Sequence, residues 1–378
     1  MNRIFLFAIA TTFALASSTT AQDAPYDPKG PDVFKIVIHP KAPDDRALRY
    51  RLLPAVYDQQ PGDAATLWLV AGQSAAAAMA NEPQAVDDRI YDHILKLPPS
   101  QMPLAEARKY NEPYQGALEQ AYLASRRSYV DWGMAFREKG FYAPLPYLSG
   151  LRNLVRPLSV ETRIAIAQGD YKRAVDLLAT GVTLVRDLEQ QRSLIHLLTS
   201  NAVGAAISVH GFHAYLSGKE APNLYWALAS LPRPFYNFQK SLEFEKTQLY
   251  YAFPALRKAH SGLVSVEDVQ ELLKKLPEAG LLVGTPQPVM PGPLAAVRDY
   301  PAAKQFLIAQ GMAPRQVEAL PVHVALAKYY AISHEIWYDQ FIKWAGLPYH
   351  RGIAGMRRAA QEMKAAVGDS PTTVYAGY

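Results

Sequence analysis

Glu161-Thr-Arg-Ile-Ala-Ile-Ala-Gln-Gly-Asp170-Tyr-Lys-Arg-Ala174-Val-Asp-Leu177-Leu-Ala-Thr-Gly181 decides the architecture. Two apolar stretches at helical spacing meet at Gly169-Asp170, a pair that breaks the first helix. Tyr171 then wedges between the two helices, and the small residues Ala174 and Gly181 let them approach closely. Working outward, residues 159–168, 171–190 and 193–216 read as three helices joined by minimal turns. Connections this short make neighbouring helices antiparallel.

The same reading extends in both directions. Upstream, Gly62 or Asp63 can cap a helix over 64–80, written AATLWLVAGQSAAAAMA and rich in strong helix formers. Helices follow over 82–97, with Ile90, Ile94 and Leu97 on one face, and over 114–137, with Leu118, Tyr122, Tyr129 and Trp132. Downstream come 223–231, 242–256, 264–276, 302–310, a long helix over 322–344, and 349–367. Credible strands are nearly absent, so the expected class is all-α: antiparallel helical hairpins in a solenoid or compact array. A single helical domain is expected over 63–368. It is interrupted at 277–301, where six prolines and several glycines read as a long loop, and followed by a tail over 369–378.

Composition narrows the function classes. The chain has 378 residues, 49% hydrophobic and 19% charged, so it can bury a large core and is not a disordered polypeptide. With no cysteine, disulfides, thiolate metal sites, iron–sulfur clusters, a cysteine nucleophile and a lipidated-cysteine anchor are all excluded. The formal net charge of +5 is small for this length, and the basic pairs Arg126-Arg127 and Arg357-Arg358 are short, so nucleic acid is not an expected partner.

The N-terminus, MNRIFLFAIATTFALASSTTA, has Arg3, a dozen mostly apolar residues, and small residues ending in Thr19-Thr-Ala21. This is the pattern of a secretory signal peptide over 1–21. The apolar run is too short to span a bilayer, and no later stretch is long and apolar enough to do so. Periplasmic or extracellular residence is therefore expected. Residues 22–62 are rich in proline and should be extended, with one short strand through Val33, Phe34, Ile36 and Ile38.

Residues 161–181 resemble the middle of a tetratricopeptide-type helical hairpin. A wider resemblance rests on Ala47-Leu-Arg-Tyr-Arg-Leu-Leu-Pro54, Asp58-Gln-Gln-Pro-Gly-Asp-Ala-Ala65 and Gln168-Gly-Asp-Tyr171. It continues through the run from Ala221 to Pro234, Leu242-Glu-Phe-Glu245 and Tyr250-Tyr-Ala-Phe-Pro254. Across roughly residues 45–260 the chain is similar to an uncharacterised family of exported bacterial helical proteins. That resemblance implies export and a tetratricopeptide-like fold; it implies no activity and no functional residue.

No phosphate loop, dinucleotide fingerprint, nucleophile elbow or HExxH motif occurs. His334-Glu335 is followed by Ile-Trp-Tyr338, without a second ligand histidine. Three groups of residues remain. His210 and His213, at i and i+3, could face a common metal, but no Asp or Glu lies between Ser193 and Lys219 to complete the site. Glu243 and Glu245 stand two apart on a helix and so point to different faces; either is better read as a partner for a cation than as a raised general acid. His334, Tyr338 and Phe341 share one face of the long helix, with Glu335, Asp339 and Ile342 on the neighbouring face. A cleft of histidine, tyrosine and carboxylate could do acid–base work on polysaccharide, though an aromatic stripe at helical spacing more often belongs to a core.

No cofactor is implied. Two functions are consistent with these residues. The first is an exported, non-enzymatic helical scaffold that binds a protein or peptide in the cell envelope. The second is a carbohydrate-active enzyme or sugar-binding module built on Glu243, Glu245, His334, Tyr338 and Asp339. Convergence of those side chains in one cleft would favour the second.

Overall fold

A computed structural model describes residues 38, 39, 41, 42, 46, 49–80, 84–140, 143–278 and 292–367. The expected signal peptide, most of the strand through Val33 and Ile36, the middle of the expected 277–301 loop and the C-terminal tail lie outside these residues. The described chain is all-α apart from one small sheet. It separates into two compact units. One unit holds the described residues up to Gly133 together with Pro144–Asn237; the other holds Met134–Ala143 and the residues from Phe238 onward.

In the first unit, α1 (Ala65–Ala80) starts where Asp63 Oδ1 accepts from the Ala65 N–H at 2.9 Å. The same oxygen accepts from the Asp131 N–H at 2.9 Å, so one carboxylate caps a helix and ties down a distant strand end. That strand corrects an expectation. The helix predicted over 114–137 stops at Ser125, as α4 (Gln115–Ser125), and Arg127–Tyr129 (β2) pairs in parallel with Gln60–Asp63 (β1). The Arg127 guanidinium secures the pairing by donating to the Pro61 carbonyl at 2.9 Å. Between α1 and α4 lie α2 (Gln84–Lys96) and α3 (Leu104–Asn111).

Next comes α5 (Tyr147–Asn153), which packs on α1 at backbone contact distance. A Cβ at Gly150 would lie 2.9 Å from the Gly72 carbonyl oxygen, so neither glycine can gain a side chain without parting the helices. The hairpin that anchors the sequence reading is present as α6 (Val155–Ala167) and α7 (Tyr171–Glu189). Gly169 turns with φ +75°, and Asp170 caps α7 by accepting from the Arg173 N–H at 3.0 Å. Ala174 is fully buried, and a Cβ at Gly181 would lie 3.1 Å from Leu158 of α6 and 2.5 Å from Ile207.

Ser193 caps α8 (Leu194–Ala206). The helix expected to run unbroken over 193–216 instead widens into a π turn over Ile207–Phe212 before a last helical turn, His213–Leu216. The short α9 (Tyr225–Ala229) closes this unit.

The second unit is built around one long helix. Besides a single helical turn at Phe136–Lys139, its elements are α10 (Phe238–Ala252), α11 (Pro254–Ser261), α12 (Val266–Glu278), α13 (Gly292–Ala309), α14 (Pro314–Glu318), α15 (Val322–Ala345) and α16 (Tyr349–Val367). Pro254 divides the run expected over 242–256: lacking an N–H, it starts α11 and cannot continue α10. The expected loop to 301 is also corrected, because residues from Gly292 are helical with Pro301 inside α13. α15 packs against α10, α11, α13 and α16. Its aromatic stripe is core: Tyr329, Tyr330 and Phe341 are buried, joining Leu249, Phe253 and Leu256 or the helices beside them. The buried Tyr330 hydroxyl donates to Asp299 Oδ2 at 2.8 Å, placing a carboxylate of α13 against α15.

Candidate functional site

Of the acid–base residues expected along α10 and α15, His334, Tyr338 and Asp339 gather around Lys246, while Glu243 faces a different neighbour. His334 is buried, and its Nε2 meets the Lys246 carbonyl of α10 at 3.1 Å. Burial pushes its pKa down to about 4, which keeps the ring neutral, and the Tyr338 ring lies tilted beside it with ring centres 4.7 Å apart. The Tyr338 hydroxyl is held well above its ordinary range by burial and by the Glu245 charge. Asp339 is occupied by Lys246, Nζ to Oδ1 at 2.7 Å. Glu243 is exposed and accepts from Gln239 Nε2 at 2.9 Å. Glu243 and Glu245 therefore serve different neighbours, as their spacing requires.

Beside them Glu335 assembles with Tyr250 and His260, and the Tyr250 ring stands edge-on to His334 with ring centres 6.3 Å apart. Tyr250 donates its hydroxyl to Glu335 Oε1, and His260 Nε2 approaches the same oxygen at 3.1 Å. The Tyr250 hydroxyl also lies 3.4 Å from His260 Nε2. Burial, the bond to Glu335 and that carboxylate's charge all push the Tyr250 pKa up. His260 lies near the end of α11, ten residues after Tyr250 but far from Glu335 in sequence.

In the first unit a second polar cluster is sealed. Asp187 of α7 accepts from Trp68 Nε1 at 2.8 Å, and its backbone carbonyl accepts from Trp132 Nε1 at 2.9 Å. Burial pushes the Asp187 carboxyl up to about 7. Trp132 stacks on Tyr147 at 5.2 Å, and the Tyr147 hydroxyl meets His196 Nε2 at 2.5 Å. His196 Nδ1 meets the Ser193 hydroxyl on its other side, and burial pushes the ring pKa down to about 4. Serine, histidine and a nearby carboxylate suggest a nucleophile on paper. Ser193 and His196 are buried to 1% and 0% exposure, so this cluster locks the capped start of α8 to α5.

His210 and His213 lie on an open groove of ≈ 1140 Å³ formed by the end of α2, α6, and the π turn with the helical turn after it. Among the described residues no third His, Asp or Glu joins them in a metal-binding group. Burial lowers the His210 pKa, with the Arg163 charge acting the same way. One wall is apolar, through Leu95, Ile166 and Val209. Tyr91 stands edge-on to His210 with ring centres 6.1 Å apart, and Arg156 lies over the Tyr91 ring at 5.0 Å. Arg163 is buried in the floor. Its position was readable as part of a buried stripe, because Val160 and Ala167 stand at i−3 and i+4 on the same helix face. A smaller cavity of ≈ 500 Å³ lies by Arg51, Arg126 and Lys172, where Arg126 pairs with Asp176 at 3.4 Å.

No protein-family model, curated protein or solved structure matches the chain. Among the described residues no helix is long and apolar enough to cross a membrane.

Proposed function

We propose that this protein is an exported, non-enzymatic helical scaffold of tetratricopeptide-like character that binds a peptide or protein segment in the cell envelope. The observation that carries the reading is the ≈ 1140 Å³ groove, which combines an apolar wall with a cationic floor and holds no complete catalytic constellation. Its volume exceeds what a small metabolite requires, and its open form suits a side-chain-bearing extended segment. Helix-pair architectures use such surfaces for recognition.

The carbohydrate reading has less support. His334 and Asp339 are both taken up by Lys246, through its carbonyl and its ammonium, and Glu243 by Gln239; Glu335 with Tyr250 and His260 is the remaining polar cluster of this kind among the described residues. The separating experiment is capture from an envelope extract on the protein without residues 1–21, run beside two groove-blocking variants, Ala214→Trp at a buried lining position and Ser217→Trp at a half-buried one, whose parent-like circular-dichroism melts show that they fold. A partner retained by the parent and lost by the variants supports the scaffold. Retention that the variants leave unchanged, or a glycan array with reproducible hits, removes it.

A further inference from the structure

The groove contains one side chain whose charge its surroundings do not balance. Arg163 of α6 is 5% exposed. One guanidinium nitrogen donates to the Leu97 carbonyl, and another donates to the His210 carbonyl at 3.5 Å. Leu97 lies just past the end of α2 and His210 lies in the π turn, so the two carbonyls hold the guanidinium between two elements. Its Nε is buried without a partner. Among the described residues no carboxylate forms an ion pair with Arg163, although the exposed Asp92 lines the same groove. A desolvated cation without a counter-charge is unfavourable, and burial accordingly lowers the guanidinium pKa.

The surroundings indicate what supplies the missing charge. Lys96 and Lys219 stand on the groove against Asp92 alone, so the lining has three cations and one carboxylate. The planar fork of arginine matches a carboxylate in two-point contact, and apolar neighbours beside it exclude water and strengthen the pair. Leu95 and Ile166 provide those neighbours.

We propose that the groove takes a peptide carboxylate against the Arg163 guanidinium, with the flanking aliphatic side chains of that peptide on Leu95 and Ile166. The proposal rests on the peptide-binding reading above and specifies its ligand. Either an Asp or Glu side chain or a free C-terminus supplies the same group.

The test is panning of a random dodecapeptide display library on the full processed chain, with counter-selection on Ala214→Trp. Selected peptides are then synthesised with a free acid or an amide terminus, and with each Glu or Asp replaced by Gln or Asn. The expected result is a pool enriched in acidic residues in which removing one carboxylate weakens binding at least about tenfold. Loss on side-chain replacement identifies an internal acid; loss on amidation identifies a terminus. Arg163→Met should bind the acidic peptide and its neutral counterpart equally weakly. Because that variant also releases two backbone carbonyls, Lys219→Glu on the exposed rim provides a second reading: several-fold weaker binding of the acidic form only. Groove-dependent peptides that bind equally after carboxylate removal overturn the inference and leave the scaffold standing. Failure to select any peptide blocked by Ala214→Trp overturns both.

Discussion

Trp68 Nε1 donates to Asp187 Oδ2 at 2.8 Å across 119 positions of sequence, joining α1 to α7 through a carboxylate with almost no access to water. Asp187 is thus a buried acid satisfied by a neutral donor, and among the described residues it forms no ion pair that would offset its desolvation. Its pKa rises to about 7, so the folded chain holds a proton that the unfolded chain has released.

The consequence is a pH slope. For Asp187 the native state binds more protons than the unfolded state between about pH 4 and 7, and its contribution falls as pH rises through that window. His196 works in the opposite direction: its pKa is depressed from 6.5 to about 4, so stability falls as pH drops through the same range. The two slopes oppose each other. Asp187→Asn keeps an acceptor for Trp68 and removes one slope. The unfolding free energy from urea titrations should then climb between pH 4.5 and 6.5 more steeply than in the parent, by about 1.4 kcal/mol per pH unit. Parallel profiles for the two proteins would refute this assignment.

Tyr147→Phe removes the hydroxyl from His196 and leaves the ring stack on Trp132 intact. A buried imidazole nitrogen loses its partner, and the expected loss is about 1–3 kcal/mol in equilibrium urea unfolding. An unchanged midpoint would show that water replaces the hydroxyl at no cost.

Glu335→Gln preserves an acceptor for Tyr250 and removes the charge that resists its ionisation. The Tyr250 pKa should fall relative to the parent. Carbon-13 labelling of tyrosine Cζ follows this directly, with Tyr250→Phe identifying the resonance. If the resonance titrates at the same pH in both proteins, Glu335 does not govern the phenol.

Asp339→Asn is expected to alter stability by no more than about 1 kcal/mol, because its partner Lys246 reaches it at a solvated surface. Thermal melts at low and high salt measure it. A loss of several kcal/mol would make the Lys246–Asp339 pair a structural link between α10 and α15.

Much of the helical order was legible because local chemistry and long-range packing agree at particular residues. Gly169 takes φ +75° and Asp170 caps α7 at the point where the apolar periodicity breaks. α16 occupies the expected 349–367 for a similar reason: its apolar stripe is uninterrupted by proline. The small sheet was not legible. Pro61 and Gly62 argue against a strand, and only pairing with Arg127–Tyr129 far along the chain makes one. Pro301 misled in the other direction, since helix packing on α15 holds α13 together through a residue that locally disfavours it.

The polar networks were harder to read than the helices. Asp187 in VTLVRDLE resembles a solvated helix position, and its partners Trp68 and Trp132 come from other parts of the chain. Along α15, the histidine and tyrosine at 334 and 338 were visible as one face, but their burial follows from what α10 presents to that face. Glu335 stood out in sequence only as a neighbour; His260 of α11 gives it a partner.

The meeting of Gly72 with Gly150 bears on how this chain can diverge. Where two main chains touch, an enlargement on one side can be accommodated only by a compensating change on the other, so drift at these sites must be correlated. A distant homologue that has replaced nearly every surface residue should still carry a tiny residue at both places. That paired signature offers a way to trace ancestry after ordinary similarity has faded.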